Sequence, residues 1–569
     1  MKIVIVGGVA GGATAAARLR RLDEFAEIII LERSGFVSYA NCGLPYYIGD
    51  VIKDKEALTL QSPESFRERF GIDVRVHNEV MAIHPERKTV TVRNLETGLE
   101  YTESYDKLIL SPGAKAARPP FPGIDNERVM TLRTVEDTYR IRDFVDQKKP
   151  RRAVVVGGGF IGLEAAENLL HRGVETTLLE YADQVMPPMD YDMACHIHAY
   201  LRHKGPDLRL GEQVQGFSEK DGKLLTLLKD KEPVEADMVI MAIGVAPDTG
   251  LAKSAGLKLG IKDAIVVSER METSAPDIYA VGDAVEVRNF VTGSKALIAL
   301  AGPANKQGRI AADNICGIPS GFTGAQGSAV IKLFDMTAAS TGLSEKAAKA
   351  ANIPYDKVIT YSASHATYYP GAANMNIKTL FDPSTGKILG AQIVGFEGVD
   401  KRIDVLATGI RAGMDGADLK ELDLAYAPPY SSAKDPVNMA GFVIENVRMG
   451  RVRQFHWSDL ETLQQRSDIT LLDVRTEAEW VEDGHFAGAV NIPLDSLRSR
   501  LNELDPTKTI YVNCYSGLRS YLACRILSQR GFQCYNLSGG YQFAAVVAGD
   551  KRVDGTPTHP CGIKIQSGK

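Results

Sequence analysis

KIVIVGGVAGGATAAARLRRL, residues 2–22, and AVVVGGGFIGLEAAENLL, residues 153–170, follow one pattern. Each is a short apolar strand, a cluster of glycines and an Ala-rich helix, followed by a second strand that ends on an acid. That acid is Glu32 after IIIL and Glu180 after TTLL. The strands are apolar without alternation, as parallel strands buried on both faces are. A glycine turn feeding a helix leaves the first N–H groups unpaired and gathers partial positive charge there, which suits a phosphate. Two such units predict an α/β chain with two doubly wound nucleotide-binding domains.

In the second copy the spacing is Gly157-x-Gly159-x-x-Gly162. Its glycines serve a tight turn, close backbone approach to a pyrophosphate, and helix–strand packing. Glu180 can accept from a ribose 2′-OH and would repel a 2′-phosphate, which favours NADH over NADPH. The first copy reads Gly7-Gly8-Val9-Ala10-Gly11-Gly12, with Val9 where the middle glycine would fall; Glu32 restores the pattern. A third element, TSAPDIYAVGDA, places Asp283 beyond a strand, within reach of a ribityl chain or pyrophosphate.

The segments DVRVHNEV, KTVTVRN and KLILSPG are expected to complete the first sheet, and DIYAVGDA to return to it. The first domain is therefore discontinuous, 1–149 and 262–326, around a second at 150–261. A further α/β segment covers 327–445. After the basic stretch NVRMGRVRQFHW, which reads as a linker, another α/β domain covers 455–548. The tail, 549–569, is polar and expected to be poorly ordered.

Length alone, 569 residues, calls for several cores. Net charge of −5 gives no reason to expect nucleic acid or an anionic membrane as partner, and no stretch suits a bilayer span. The N-terminus runs straight into a strand, so a cytoplasmic location is expected. Seven scattered cysteines without a CxxC pair point to neither a disulfide framework nor a zinc site, and no metal is expected.

GGVAGGATAAARLRRL, SPGA, GGGFIGLE, AIGVAPDT, IYAVGDA and LAGPANKQGR make residues 1–445 resemble the pyridine nucleotide–disulfide oxidoreductases, in their single-cysteine branch. The resemblance implies FAD around Gly7, Ala10, Gly11, Gly12, Glu32, Asn41 and Asp283, and NADH along Gly157, Gly159, Gly162 and Glu180. Segment 327–441 then resembles the dimerisation domain, implying a homodimer.

Cys42 lies in SYANCGLPY, about ten residues past the second strand, with Ser38 one turn away. No second cysteine is close enough for a local disulfide, so Cys42 can hold a mixed disulfide, a persulfide or a sulfenic acid. Near a flavin and a helix terminus its pKa is expected to be depressed. SYANCGLPYYIG resembles coenzyme A-disulfide reductases and persulfide-reducing relatives. The related oxidases and peroxidases usually carry a histidine on the first helix, which this chain lacks. Arg18 and Arg21 share a face of that helix and could pair with coenzyme A phosphates. By resemblance, one tyrosine each from HATYYPGA and DLAYAPPYSSAKDPVN, Tyr368 and Tyr426, serves the partner's active site.

LLDVRTEAEWVEDGHFAGAVNIPL, YVNCYSGLRS and NLSGGY make residues 455–545 resemble a rhodanese domain. The loop from Cys514 to Arg519 follows a strand and opens a helix, so its N–H groups can converge on one sulfur. Cys514 would carry sulfane sulfur as a persulfide, with Arg519 orienting an anionic donor. A phosphatase loop has one more residue between Cys and Arg; the shorter loop favours sulfur. Cys524 and Cys534 read as core, His485 as structural and Cys561 as a spare thiol. The expected activity is FAD- and NADH-dependent reduction of coenzyme A persulfide, related persulfides or polysulfide to sulfide. Coenzyme A-disulfide reduction is the alternative, and NADH oxidation by oxygen a more distant one.

Overall fold

The computed structural model describes residues 1–550 and 559–563. The chain divides into two compact units, Met1–Ala182 with Arg209–Gly327, and Asp183–Leu208 with Ser328–Lys569.

In the first unit, Lys2–Val6 lies between Lys107–Leu110 and Glu27–Leu31, with Ile278–Ala280 and Asp73–Arg75 at the edges, all parallel. Ile3, Val4 and Ile5 have no exposed surface, which explains the unbroken apolar run. DIYAVGDA does return to this sheet, as Ile278–Ala280. KTVTVRN does not join it: Thr89–Asn94 forms an antiparallel meander with Asn78–His84 and Glu100–Ser104. Its alternating burial is that of a sheet covered on one side.

The second sheet sets Arg152–Val156 between Glu175–Glu180 and Met238–Met241, with Val129–Thr131 beyond. That last strand lies upstream of the boundary expected at 150. Helix Ala10–Leu22 buries mainly glycine and alanine, so helix Ala301–Ile315 can come close. A Cβ on Gly308 would sit 2.3 Å from the Gly11 carbonyl oxygen.

The second unit holds an antiparallel sheet in the order Ala329–Leu333, Met336–Gly342, Ile388–Gly395, Asn374–Phe381, Asp356–Ala363. A parallel sheet follows, in the order Gln454–Phe455, Cys534–Leu537, Thr509–Asn513, Ile469–Asp473, Val490–Asn491. Helix Pro436–Arg448 runs into the stretch expected as a linker, and strand Gln454–Phe455 closes it.

Helix Tyr191–Lys204, expected in the second nucleotide domain, belongs to this unit instead. Asp192 through Leu201 are all buried, which no amphipathic surface helix would show. Its Asp192 receives the fully buried Lys378 ammonium at 2.7 Å, with Asp190 at 3.0 Å and Glu345 alongside. Trp457 Nε1 adds a donor to Asp192.

The described residues of the expected tail are ordered parts of the second unit. Gly549 and Asp550 finish helix Gly540–Asp550, and Asp550 takes hydrogen bonds from Tyr191, at 2.8 Å, and Arg202. The turn Pro560–Gly562 is packed inside the unit, with Cys561 fully buried. Residues 551–558 and 564–569 of that expectation lie outside the described residues.

Burial alone would raise the Glu345 carboxyl, but Lys378 and Lys357 hold it down to about 2. A depressed carboxyl stabilises the fold fully above its unfolded value of roughly 4.3. That stability drains as pH falls toward the folded value. Differential scanning calorimetry across this acidic window is expected to show a falling unfolding temperature, with a shallower fall in Glu345→Gln. Lys378→Met, which removes the ammonium shared by Asp190, Asp192 and Glu345 and leaves Glu345 with Lys357, is expected to cost about 3–5 kcal/mol; an unchanged unfolding temperature would show that the cluster is not coupled.

Candidate functional site

The two glycine turns have the same construction. Gly7 and Gly157 adopt φ of +96° and +110°, in the left-handed region open to glycine. A Cβ on Gly12 would lie 1.9 Å from the Gly7 carbonyl oxygen, and one on Gly162 1.8 Å from that of Gly157. Gly159 faces open space, the room a pyrophosphate needs. Glu32 accepts from the N–H of Gly8 and of Ser34, each at 2.9 Å. Glu180 accepts from Gly158, at 2.5 Å, and Ala182, at 2.7 Å. Each acid is thus fixed over its turn by backbone donors.

A cavity of about 920 Å³ runs from Glu32 past Gly7, Ala10 and Gly11 to Asp283, Asn41 and Cys42. Its size suits a large organic cofactor. Six sequence-predicted FAD residues line it, and the seventh, Gly12, lies buried beneath the turn. These residues fit FAD: an acid at one end, a helix N-terminus in the middle and a thiol at the other.

Cys42 occupies the short turn Asn41–Gly43, which leads into helix Leu44–Ile48. Two arginines hold that helix at its other end. Arg142 Nη1 donates to the Tyr47 carbonyl at 2.5 Å, and Arg172 Nη1 to that of Ile48 at 2.9 Å. Ser38 is not one helical turn from Cys42. It sits in a left-handed bend, φ +46°, its N–H donating to the Gly8 carbonyl, and it does not line the cavity.

The junction that orders this end is Arg133, which sequence reading missed. Its Nη2 pairs with Asp283 at 3.0 Å and its Nε donates to the Ala114 carbonyl at 2.9 Å. The Asn41 amide, oriented to satisfy both its ends, donates to the Arg133 carbonyl and accepts from Nη1, each at 3.0 Å. One signal could have pointed here: Thr134 and Asp137 form a capping box, which fixes Arg133 just ahead of helix Val135–Lys148.

The protein groups around Cys42 push its thiol up, so the depression expected beside a flavin does not come from these side chains. Burial is the main cause, with Glu164 and Asp283 adding to it, while Arg133 opposes. Glu164, two residues past Gly162, is itself pushed up to about 7 by burial. Tyr46 OH lies 3.4 Å from its Oε1.

Elsewhere, Tyr368 and Tyr426 come together, hydroxyl to hydroxyl at 2.7 Å, on an exposed surface. This bond raises the Tyr368 hydroxyl's pKa, keeping it protonated. Arg18 is already paired, Nε to Asp313 at 2.7 Å, so a phosphate would have to share it; Arg21 is exposed.

In the parallel sheet of the second unit, strand Thr509–Asn513 ends at Cys514. Its buried sulfur accepts from the Gly517 N–H at 3.1 Å and from Ser520 Oγ at 3.2 Å. Gly517 turns the loop at φ +100° before helix Leu518–Ser528 begins. Arg519 does not present a free guanidinium. Glu479 holds both its terminal nitrogens, at 2.7 and 2.6 Å, so it braces the loop's rim. Cys524 and Cys534 are buried as expected, and His485 stacks on Trp480.

Residues 1–308 match the pyridine nucleotide-disulphide oxidoreductase family, 328–436 its dimerisation domain and 456–543 the rhodanese-like domain. The chain belongs to the pyridine nucleotide-disulphide oxidoreductase family. It is similar to the coenzyme A disulfide reductase of Staphylococcus aureus, strain JH9, at 39% identity over 442 residues, 78% of this chain and 99% of that protein. The structure of reduced Bacillus anthracis CoADR-RHD is 48% identical, with a TM-score of 0.94 over 97% of this chain and 98% of that one. A NAD-dependent persulfide reductase from A. fulgidus is 39% identical, with a TM-score of 0.90 over 95% and 100%. Among the described residues, no helix is long and apolar enough to cross a membrane.

Glu164→Gln removes a carboxylate that opposes the Cys42 thiolate, so alkylation of Cys42 is expected to move to lower pH. Arg133→Met is expected to move it to higher pH. Mass spectrometry of iodoacetamide-labelled Cys42 across the neutral and alkaline range measures both, and unmoved profiles would show that neither group acts on the thiol.

Proposed function

We propose that this chain is an FAD- and NADH-dependent reductase of coenzyme A persulfide and related persulfides or polysulfide, releasing sulfide. Its rhodanese-like domain delivers the sulfane sulfur. The observation that carries this reading is the pairing, in one chain, of a cavity thiol, Cys42, with a second sulfur held by converging donors, Cys514. The similarity to a coenzyme A disulfide reductase and to a persulfide reductase supports the substrate class.

FAD bound between Glu32 and Cys42 would take a hydride from NADH and supply two electrons at the Cys42 sulfur. The residues of the chain do the rest. Cys514 attacks the outer sulfur of a donor persulfide; that S–S bond breaks, the donor leaves as a thiol, and Cys514 carries the persulfide. Gly517 N–H and Ser520 Oγ stabilise the charge on the Cys514 sulfur before attack and after release. A coenzyme A thiolate accepts the outer sulfur and restores the Cys514 thiol.

Cys42 then attacks the outer sulfur of coenzyme A persulfide. Coenzyme A departs as a thiol, and two electrons with a proton cleave the Cys42 persulfide to thiolate and hydrogen sulfide. Arg133, which among the described residues lowers the Cys42 pKa, stabilises the thiolate at both ends of the cycle. With coenzyme A disulfide as substrate the same attack leaves a mixed disulfide on Cys42, and reduction frees the second thiol.

The dimerisation-domain match supports a homodimer. In that assembly the exposed Tyr368–Tyr426 pair serves the partner's site, donating a proton to the leaving thiolate. Arg21, with Arg18 sharing its charge with Asp313, forms the basic face for coenzyme A phosphates.

Cys42→Ser is expected to abolish turnover of both persulfide and disulfide in an NADH-oxidation assay. Cys514→Ser is expected to leave coenzyme A-disulfide reduction intact while slowing sulfide release from sulfane donors that must load the rhodanese-like domain. Equal loss of both activities in Cys514→Ser would end this division of labour.

A further inference from the structure

The sulfur loop is bounded on one side by a part of the chain nearly fifty residues later. Tyr515, the neighbour of Cys514, donates its hydroxyl to the Gly562 carbonyl at 2.9 Å. Tyr361, on strand Asp356–Ala363, donates to the adjoining Cys561 carbonyl at 2.8 Å, and the two tyrosine rings meet edge to face. The turn carrying these carbonyls is itself pinned. The Cys561 N–H donates to His196 Nδ1 at 3.1 Å, and its thiol to the Val394 carbonyl at 3.3 Å.

The turn has the marks of an over-determined conformation. Cys561 and Gly562 are consecutive left-handed residues, at φ +51° and +68°, and the first of them is not glycine. Such a backbone persists only where the surroundings fix it. Gly562 cannot be replaced without effect: a Cβ there would lie 2.5 Å from the Tyr515 hydroxyl and 2.9 Å from that of Tyr361. On its other side the loop is held by backbone, Tyr541 N–H to the Cys514 carbonyl at 2.7 Å and Gln542 N–H to the Tyr515 carbonyl at 3.1 Å.

We infer that the C-terminal turn Pro560–Gly562 is a positioning element for the sulfur carrier: by anchoring Tyr515 it holds the loop so that its donors converge on Cys514. This rests on the sulfur-carrying reading of Cys514. Tyr515 is a positioning residue. Its hydroxyl is committed to the C-terminal turn, and it acts through the backbone it shares with Cys514. Both tyrosine hydroxyls are pushed up by burial and stay protonated, as donors to a carbonyl must. Small displacements of a reacting atom are costly, so loosening the anchor slows chemistry more than binding.

The test uses the full-length protein with Tyr515→Phe, Gly562→Ala and the double variant. Each single change is expected to lower kcat for loading Cys514 from glutathione persulfide about tenfold, with donor KM moved less than about twofold. Iodoacetamide labelling of Cys514 at fixed pH is expected to slow in parallel, a readout that needs no sulfur transfer. Because Gly562→Ala acts on the hydroxyl that Tyr515→Phe removes, the double variant is expected to be no slower than the slower single one.

Coenzyme A-disulfide reduction is expected to be unchanged. Wild-type labelling and loading rates in both single variants would overturn the inference, as would equal losses of disulfide reduction, which would mark a general folding defect. If wild-type Cys514 takes no sulfur from any donor, the carrier reading fails, while the labelling rates still decide whether the turn positions the thiol.

Discussion

Two carbonyl oxygens set the terms for the nucleotide-binding half of this molecule. The Gly7 and Gly157 carbonyls lie where a side chain at Gly12 or Gly162 would begin, so the helix behind each turn can seat itself only if those positions carry no Cβ. From that contact follow the height of each helix N-terminus above its sheet and the room for phosphate. The acid at the end of the next strand is then near enough to fix the turn through a backbone N–H. The Val9 departure costs little because the close approach happens at Gly12, and the cavity side of this turn is completed by Ala10 and Gly11.

Against that shared frame the two reactive thiols are handled in opposite ways. Cys42 keeps exposed surface on a large cavity, yet partial desolvation and two carboxylates work against its ionisation, and among the described residues the Arg133 guanidinium works for it. Its reactivity therefore depends on Arg133, whose position in turn depends on Asp283, Asn41 and the Ala114 carbonyl. Cys514 has no exposed surface, yet its sulfur already accepts from a backbone N–H and a hydroxyl. The first thiol is tuned by charge at the end of a cavity, where a cofactor can alter the balance. The second is held by short, fixed dipoles within its own loop and helix.

What the sequence made legible was local chemistry. Glycine turns, an acid at a strand end, a cysteine followed by a helix and a Cys-to-Arg loop each declare themselves within a few residues, because the constraint is steric or turns on one atom. Tyr368 and Tyr426 were each chosen through resemblance for the partner's site; that their hydroxyls meet each other was not foreseen. The misses share a cause. Arg133, the Lys378 cluster and the assignment of helix Tyr191–Lys204 to the second unit all depend on charges brought together from distant segments, and a buried lysine reads in sequence like a surface one. Ser38 was misplaced, and the Glu479 partner of Arg519 went unread, for a related reason: spacing tells which residues are near, not which partner claims them first.

The largest surprise is the end of the chain, where polar composition suggested a loose tail. Composition reports an average, whereas three residues, Pro560–Gly562, suffice to fill a site if their carbonyls meet donors already in place. Those donors are Tyr515, beside Cys514, and Tyr361, seven residues before Tyr368 and on the strand that leads toward it. Within the second unit, the Cys514 loop and the strand that leads to the exposed tyrosine pair therefore share one support. A change in the turn reaches Cys514 most directly, because Tyr515 is the next residue, whereas Tyr368 lies seven residues beyond Tyr361; the turn's influence falls on the Cys514 loop.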